Sequence, residues 1–141
     1  INPETLLIEY GNNFDLLLFR HGGRKCYLEE IEAVKKYGYL EDENILEEQK
    51  RYYIETGMPE KFGLFEMPTF IRKNTETTKL FEIMWWEQIC KFSSRDQISL
   101  PYVLWKLSDK IEIKVFKGFT IKRNKIGNMY FIKNSEHNKI G

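Results

Sequence analysis

The sequence predicts an α/β or mixed α+β fold, and three observations carry that prediction. Phe14-Asp15-Leu16-Leu17-Leu18-Phe19-Arg20 is a nearly unbroken apolar run, the mark of a strand buried on both faces. Helical and extended patterns alternate through most of the chain. Past Asp109 the pattern turns to short strands.

Asn2-Pro3-Glu4 opens a helix, with Asn as cap and Pro at the first helical position. It runs through Leu6, Leu7 and Tyr10 and stops at Gly11. The buried strand follows and ends in a basic, glycine-rich loop, Arg20-His21-Gly22-Gly23-Arg24-Lys25. The next helix places Tyr27, Leu28, Ile31 and Val34 on one face and Glu29, Glu30 and Glu32 elsewhere, and Gly38 ends it. From Glu41 to Thr56 an acidic-to-basic charge pattern predicts a solvent-facing helix, broken by Gly57-Met58-Pro59. Phe62 to Arg72 reads as a loop entering a short strand.

Asn74 or Thr75 caps a helix carrying Leu80, Ile83, Met84, Trp86 and Ile89. The stretch from Ser93 to Lys106 then places Arg95-Asp96-Gln97 at a helix start, ahead of an apolar, aromatic run. Ser93 with Asp96, or Ser94 with Gln97, fits a capping box. Pro101 is expected to kink or shorten this helix. Strands are expected over Ile111–Phe116, Phe119–Ile121 and Met129–Ile132, before a polar tail containing His137.

Composition narrows the function classes. Hydrophobic residues make up 42% of the 141 and charged residues 30%, as in an ordinary globular domain. Aromatic residues reach 15% and cluster, which favours a core with aromatic surface left for a ligand. Lys and Arg total 22 against 21 for Asp and Glu, so no global field draws nucleic acid or an anionic membrane. Cys26 and Cys90 lie far apart without metal-ligand spacing and read as free thiols, with a single disulfide between them the alternative. With no N-x-S/T site and no membrane-spanning apolar run, a cytoplasmic protein without an integral membrane segment is expected.

Several residues are candidates for chemistry. His21 follows a buried strand, where α/β folds place ligand-binding groups, and Gly22, Gly23 and Arg24 offer backbone and guanidinium to a phosphate. An ordinary solvated turn is the competing reading. His137 with Lys139 offers a metal ligand and a phosphate partner, unless both belong to a frayed tail. Glu66, between Phe65 and Met67, is a candidate general base or a strand-edge Glu facing water. Trp85 and Trp86 cannot both point inward, so one is core and the other half-exposed or a ligand-facing wall. No Ser-His-Asp order, P-loop, CxxC pair or HExxH occurs.

An ordered set of motifs joins these residues. It begins at Asp15 through His21, Arg24 and Tyr27-Leu28-Glu29-Glu30, and continues with Tyr53, Gly57-Met58-Pro59, Gly63-Leu64, Glu66 and Ile71-Arg72. Trp85-Trp86 and Ser94-Arg95-Asp96-Gln97-Ile98-Ser99 with Tyr102 complete it. In this the chain resembles a glycosyltransferase-like family once catalogued as a domain of unknown function, with plant cell-wall and mucilage members and bacterial surface-polysaccharide members.

The resemblance implies a GT-A-like mixed sheet flanked by helices, a nucleotide-sugar donor, a glycan acceptor and a divalent metal, Mn²⁺ or else Mg²⁺. The Asp-x-Asp-like motif of that fold is missing before His21, so the 141 residues are expected to be the C-terminal portion of a larger catalytic domain. By the same resemblance Asp96 orients the sugar or acts as base, Gln97 assists and Glu66 lies on the acceptor side. Arg95 neutralises phosphate charge, and His137 completes the metal shell beside Lys139. Asp96, Gln97 and Glu66 are thus the expected catalytic set; His21, Arg24, Arg95, Trp86 and Lys139 are expected to bind substrate or phosphate. The alternatives are a non-catalytic carbohydrate-binding or scaffold module, in which Trp85, Trp86 and Tyr102 stack on sugar rings, and, more weakly, a lipid-modifying hydrolase.

Overall fold

A computed structural model of the chain describes residues 13–39 and 41–116, with Glu4, Ile8 and the backbone of residues 125, 126, 129 and 130. At its centre lies β1 (Leu16–Arg20), between β2 (Phe65–Arg72) and β3 (Ile113–Phe116). β2 runs antiparallel to β1 and β3 parallel to it, so the sheet is mixed. Leu16, Leu17, Leu18 and Phe19 are all fully buried. Successive side chains of a strand point to opposite faces. Leu16 and Leu18 accordingly enter the main helical core, while Leu17 and Phe19 join Phe14, Phe116 and Ile71 on the other side. That double burial is why the strand reads as continuous rather than alternating.

The β1–β2 register shifts between Leu17 and Phe19. The irregular stretch of β2 contains Pro68, which has no N–H for the ladder. After the shift Glu66 pairs with Phe19, beside the end of β1. β2 is longer than the short strand expected from the sequence.

The helices follow the predicted order. α1 (Tyr27–Tyr37) ends at Gly38, whose φ of 65° is the left-handed cap conformation glycine adopts without strain. α2 (Glu43–Glu55) is capped by Asp42, which accepts from the Asn44 N–H at 2.8 Å. α3 (Glu76–Lys91) starts with a capping box between Thr75 and Thr78. α4 (Asp96–Lys106) is the central helix: Ile98 through Leu104 are buried without interruption, against α1, α3 and β2. It runs through Pro101 to Lys106, so the proline does not shorten it. Burial on all sides offsets the backbone hydrogen bond that Pro101 forfeits.

Tyr53 and Tyr102 stack in the core with ring centroids 4.1 Å apart, and burial pushes the Tyr102 hydroxyl up to about 12. The two-stranded ladder of β4 (Lys125–Ile126) and β5 (Met129–Tyr130) is antiparallel. The expected Phe119–Ile121 strand lies outside the described residues, as does most of the Asn2–Tyr10 helix, of which Glu4 and Ile8 are helical. No helix among the described residues is long and apolar enough to cross a membrane.

Candidate functional site

The loop after β1 is held by side chains. The His21 N–H continues the sheet pairing by donating to the Leu64 carbonyl at 2.9 Å. The Gly22 N–H donates to Glu66 Oε1 at 3.2 Å, and those of Gly23 and Arg24 to His21 Nδ1 at 3.1 and 2.9 Å. Three successive N–H groups are therefore already engaged, by Glu66 and His21, so the backbone cradle expected from the glycines is not free.

His21 Nδ1 thus accepts two amide N–H groups. The Arg24 Nη2 lies 3.2 Å from Nε2. Burial first, and the Arg24 charge second, push the imidazole below its ordinary value. The neutral ring is thus favoured at pH 7.

Behind the loop sits Glu30, whose side chain is fully buried. It receives Arg24 Nε on one oxygen and Arg95 Nη2 at 3.3 Å on the other. The Arg95 guanidinium carbon lies 4.6 Å from the centre of the Tyr39 ring. Arg95 is the N-cap of α4, so Glu30 joins the loop to the start of the central helix.

The sequence gives Glu30 a place off the apolar face; the structure corrects this. Glu30 shares the buried stripe of α1 with Tyr27, Ile31 and Val34. The available signal was its spacing, three residues after Tyr27 and four before Val34.

The capping box expected before α4 does not form. The Ser93 hydroxyl donates to Gln49 Oε1 at 2.6 Å instead, and that of Ser94 to Glu41. Arg95 caps with its backbone alone. Asp96 and Gln97, both half-buried, occupy the first turn of α4, and Asp96 Oδ1 accepts from the Gln97 N–H at 2.9 Å.

In front of the loop a cleft of about 810 Å³ opens between it and residues 60–65, with Ile113 and Val115 of β3 at one wall. Arg20, Arg24, Lys25 and Lys61 line it together with Glu29 and Glu60, an excess of positive charge. The structure thus gathers His21 and Arg24 at the cleft and couples Arg95 to them through Glu30. Glu66 is buried behind Gly22.

Trp86 is not brought to the cleft. It stands 66% exposed on α3, while Trp85 turns inward and donates Nε1–H to Ser99 Oγ at 3.0 Å. Cys26 lines the cleft and Cys90 is exposed; both are free thiols. His137 and Lys139 lie outside the described residues. Among the described residues no three His, Cys, Asp or Glu side chains cluster to hold a metal ion.

The model of a family described as TOD1/MUCI70, glycosyltransferase-like domain, matches residues 4–130. No curated protein and no solved structure matches the chain.

Proposed function

The chain belongs to the TOD1/MUCI70 glycosyltransferase-like family, and from that premise we propose that it transfers a sugar from a nucleotide-sugar donor to a surface or cell-wall glycan. The observation that carries this reading is the cleft at the end of β1. Its four cationic side chains outnumber its two carboxylates, which suits a diphosphate. A GT-A-like arrangement is proposed with it, the donor lying beyond the end of a buried strand as in other α/β sheets.

In the proposed reaction the acceptor hydroxyl oxygen bonds to the anomeric carbon as the bond from that carbon to the diphosphate breaks. The electron pair leaves on the diphosphate, where Arg24 and Arg95 stabilise the added charge. The hydroxyl proton passes to Asp96, with Gln97 orienting the sugar. His21 lines the donor site beside Arg24, and Glu66 fixes the loop that carries His21. Lys139 is proposed as a further phosphate partner. A divalent metal, Mn²⁺ foremost, would supply charge neutralisation of the diphosphate. The described residues do not form such a site, and His137 is proposed to contribute to one.

The exposed Trp86 favours one other reading, a carbohydrate-binding module in which that ring stacks on a sugar. Release of nucleoside diphosphate from a panel of nucleotide sugars by the full-length protein, with and without Mn²⁺, separates the two. Metal-dependent release from one donor supports the transferase. A folded protein that neither releases nor binds any nucleotide, yet binds glycans, overturns it.

A further inference from the structure

The role of Glu30 goes beyond what the family description carries. A buried carboxylate needs one cation to offset its charge, and a second guanidinium is more than pairing requires. Glu30 has two, one from Arg24 six positions before it and one from Arg95 65 positions after it, and both remain partly open to solvent: the side chains of Arg24 and Arg95 are 31% and 27% exposed. Two cations on one anion leave a net positive charge fixed in place. The Tyr39 ring backs the Arg95 guanidinium, and the neutral His21 lies against that of Arg24, so neither neighbour cancels it. Arg95 engages Glu30 through Nη2 alone, and its buried Nε has no hydrogen-bond partner among the described residues.

We infer that Glu30 is a positioning residue that holds Arg24 and Arg95 together as one two-guanidinium site for the diphosphate of the donor. The inference rests on the nucleotide-sugar reading and deepens it. Glu30 is too deeply buried to touch the donor itself. It acts by fixing two flexible side chains before the ligand arrives, which lowers the ordering cost of binding. Because Arg95 precedes Asp96, the same carboxylate also fixes the first turn of α4, where the proposed base sits.

The test uses the full-length protein with inorganic pyrophosphate as probe. Calorimetry compares the wild type with Glu30→Gln, and denaturant unfolding of both is measured alongside. The amide keeps the volume but presents an NH₂ to a guanidinium, so pyrophosphate affinity should fall about tenfold or more, and the KM for donor should rise more than kcat falls. A wild type that binds neither pyrophosphate nor nucleoside diphosphates removes the nucleotide-sugar reading and this inference with it. Wild-type binding that Glu30→Gln leaves unchanged overturns the role of Glu30 alone, even if the variant is less stable. Should Glu30→Gln not fold, the wild type decides: pyrophosphate must shift the side-chain Nε–H resonances of Arg24 and Arg95 together in a nitrogen-15 spectrum. Binding that moves only one of them overturns the inference.

Discussion

The Gly22 backbone N–H and the Glu66 carboxylate meet at 3.2 Å, across 44 positions of sequence. Glu66 stands opposite Phe19 on the neighbouring strand, so the bond pins the loop at the end of β1 to β2. It also gives the buried acid of an apolar strand a hydrogen-bond partner, the N–H of an exposed loop glycine.

This pairing predicts different outcomes for two substitutions. Glu66→Gln keeps an oxygen for Gly22 and should unfold close to the wild-type midpoint, with transfer largely retained. Glu66→Ala strips the acceptor and should cost about 1–3 kcal/mol. Urea denaturation of both variants checks this. An alanine variant as stable as the wild type would remove the anchoring role, and loss of transfer in a fully stable Gln variant would make Glu66 the base.

Asp96→Asn tests the proposed base itself. Asp96 Oδ1 accepts from the adjacent Gln97 N–H, and an Asn oxygen can keep that contact. The variant should therefore fold normally while transfer falls about 10²- to 10⁴-fold, the usual contribution of a general base. Donor hydrolysis and transfer assays on the folded variant read the effect. Undiminished turnover would move the base elsewhere.

The sequence was most legible where a single periodicity decides the structure. β1 is legible in its unbroken apolar run, α1 in its stripe and Gly38, and α3 in the Asn74-Thr75 pair, of which Thr75 is the cap. The inward and outward tryptophans followed from the angle between adjacent helical residues. What escaped depends on partners far along the chain. Ser93 looks like a cap because the residues next to it fit one, yet Gln49 takes its hydroxyl. Glu30 looks like surface charge because nothing local shows that Arg24 and Arg95 converge on it. The loop glycines suggested a phosphate cradle, but His21 and Glu66 already hold the amides such a cradle would use.

His21 gives a pH dependence whose sign follows from its lowered folded-state value. The unfolded chain binds the proton more readily, so the contribution of His21 to stability is complete above its unfolded value of about 6.5. It is lost progressively as pH falls from there through the folded value. Asn at this position has an oxygen near the place of Nδ1 and does not titrate. The stability of the wild type relative to His21→Asn should therefore decline as pH is lowered below about 6.5. A difference that stays flat on acidification would mean that His21 is not held neutral.

The segment leading into α4 depends on a buried polar chain. Gln49 is fully buried; its Oε1 accepts from the Ser93 hydroxyl at 2.6 Å, and its Nε2 donates to the Tyr53 hydroxyl at 2.9 Å. Tyr53 in turn donates to Gln88 Oε1 at 3.0 Å, so α2, α3 and the residue two before Arg95 are tied together. Gln49→Leu should cost about 1–3 kcal/mol for each polar group it leaves unpaired. Ser93→Ala alone should also destabilise, because Gln49 then keeps a carbonyl oxygen with one donor fewer. Since both substitutions break the same bond, the double variant should lose less than the sum of the two, by about 0.5 kcal/mol or more. Denaturation of the complete cycle measures this coupling. Strict additivity would show that Ser93 and Gln49 do not act as a unit, and that the start of α4 is held by Glu30 and Arg95 instead.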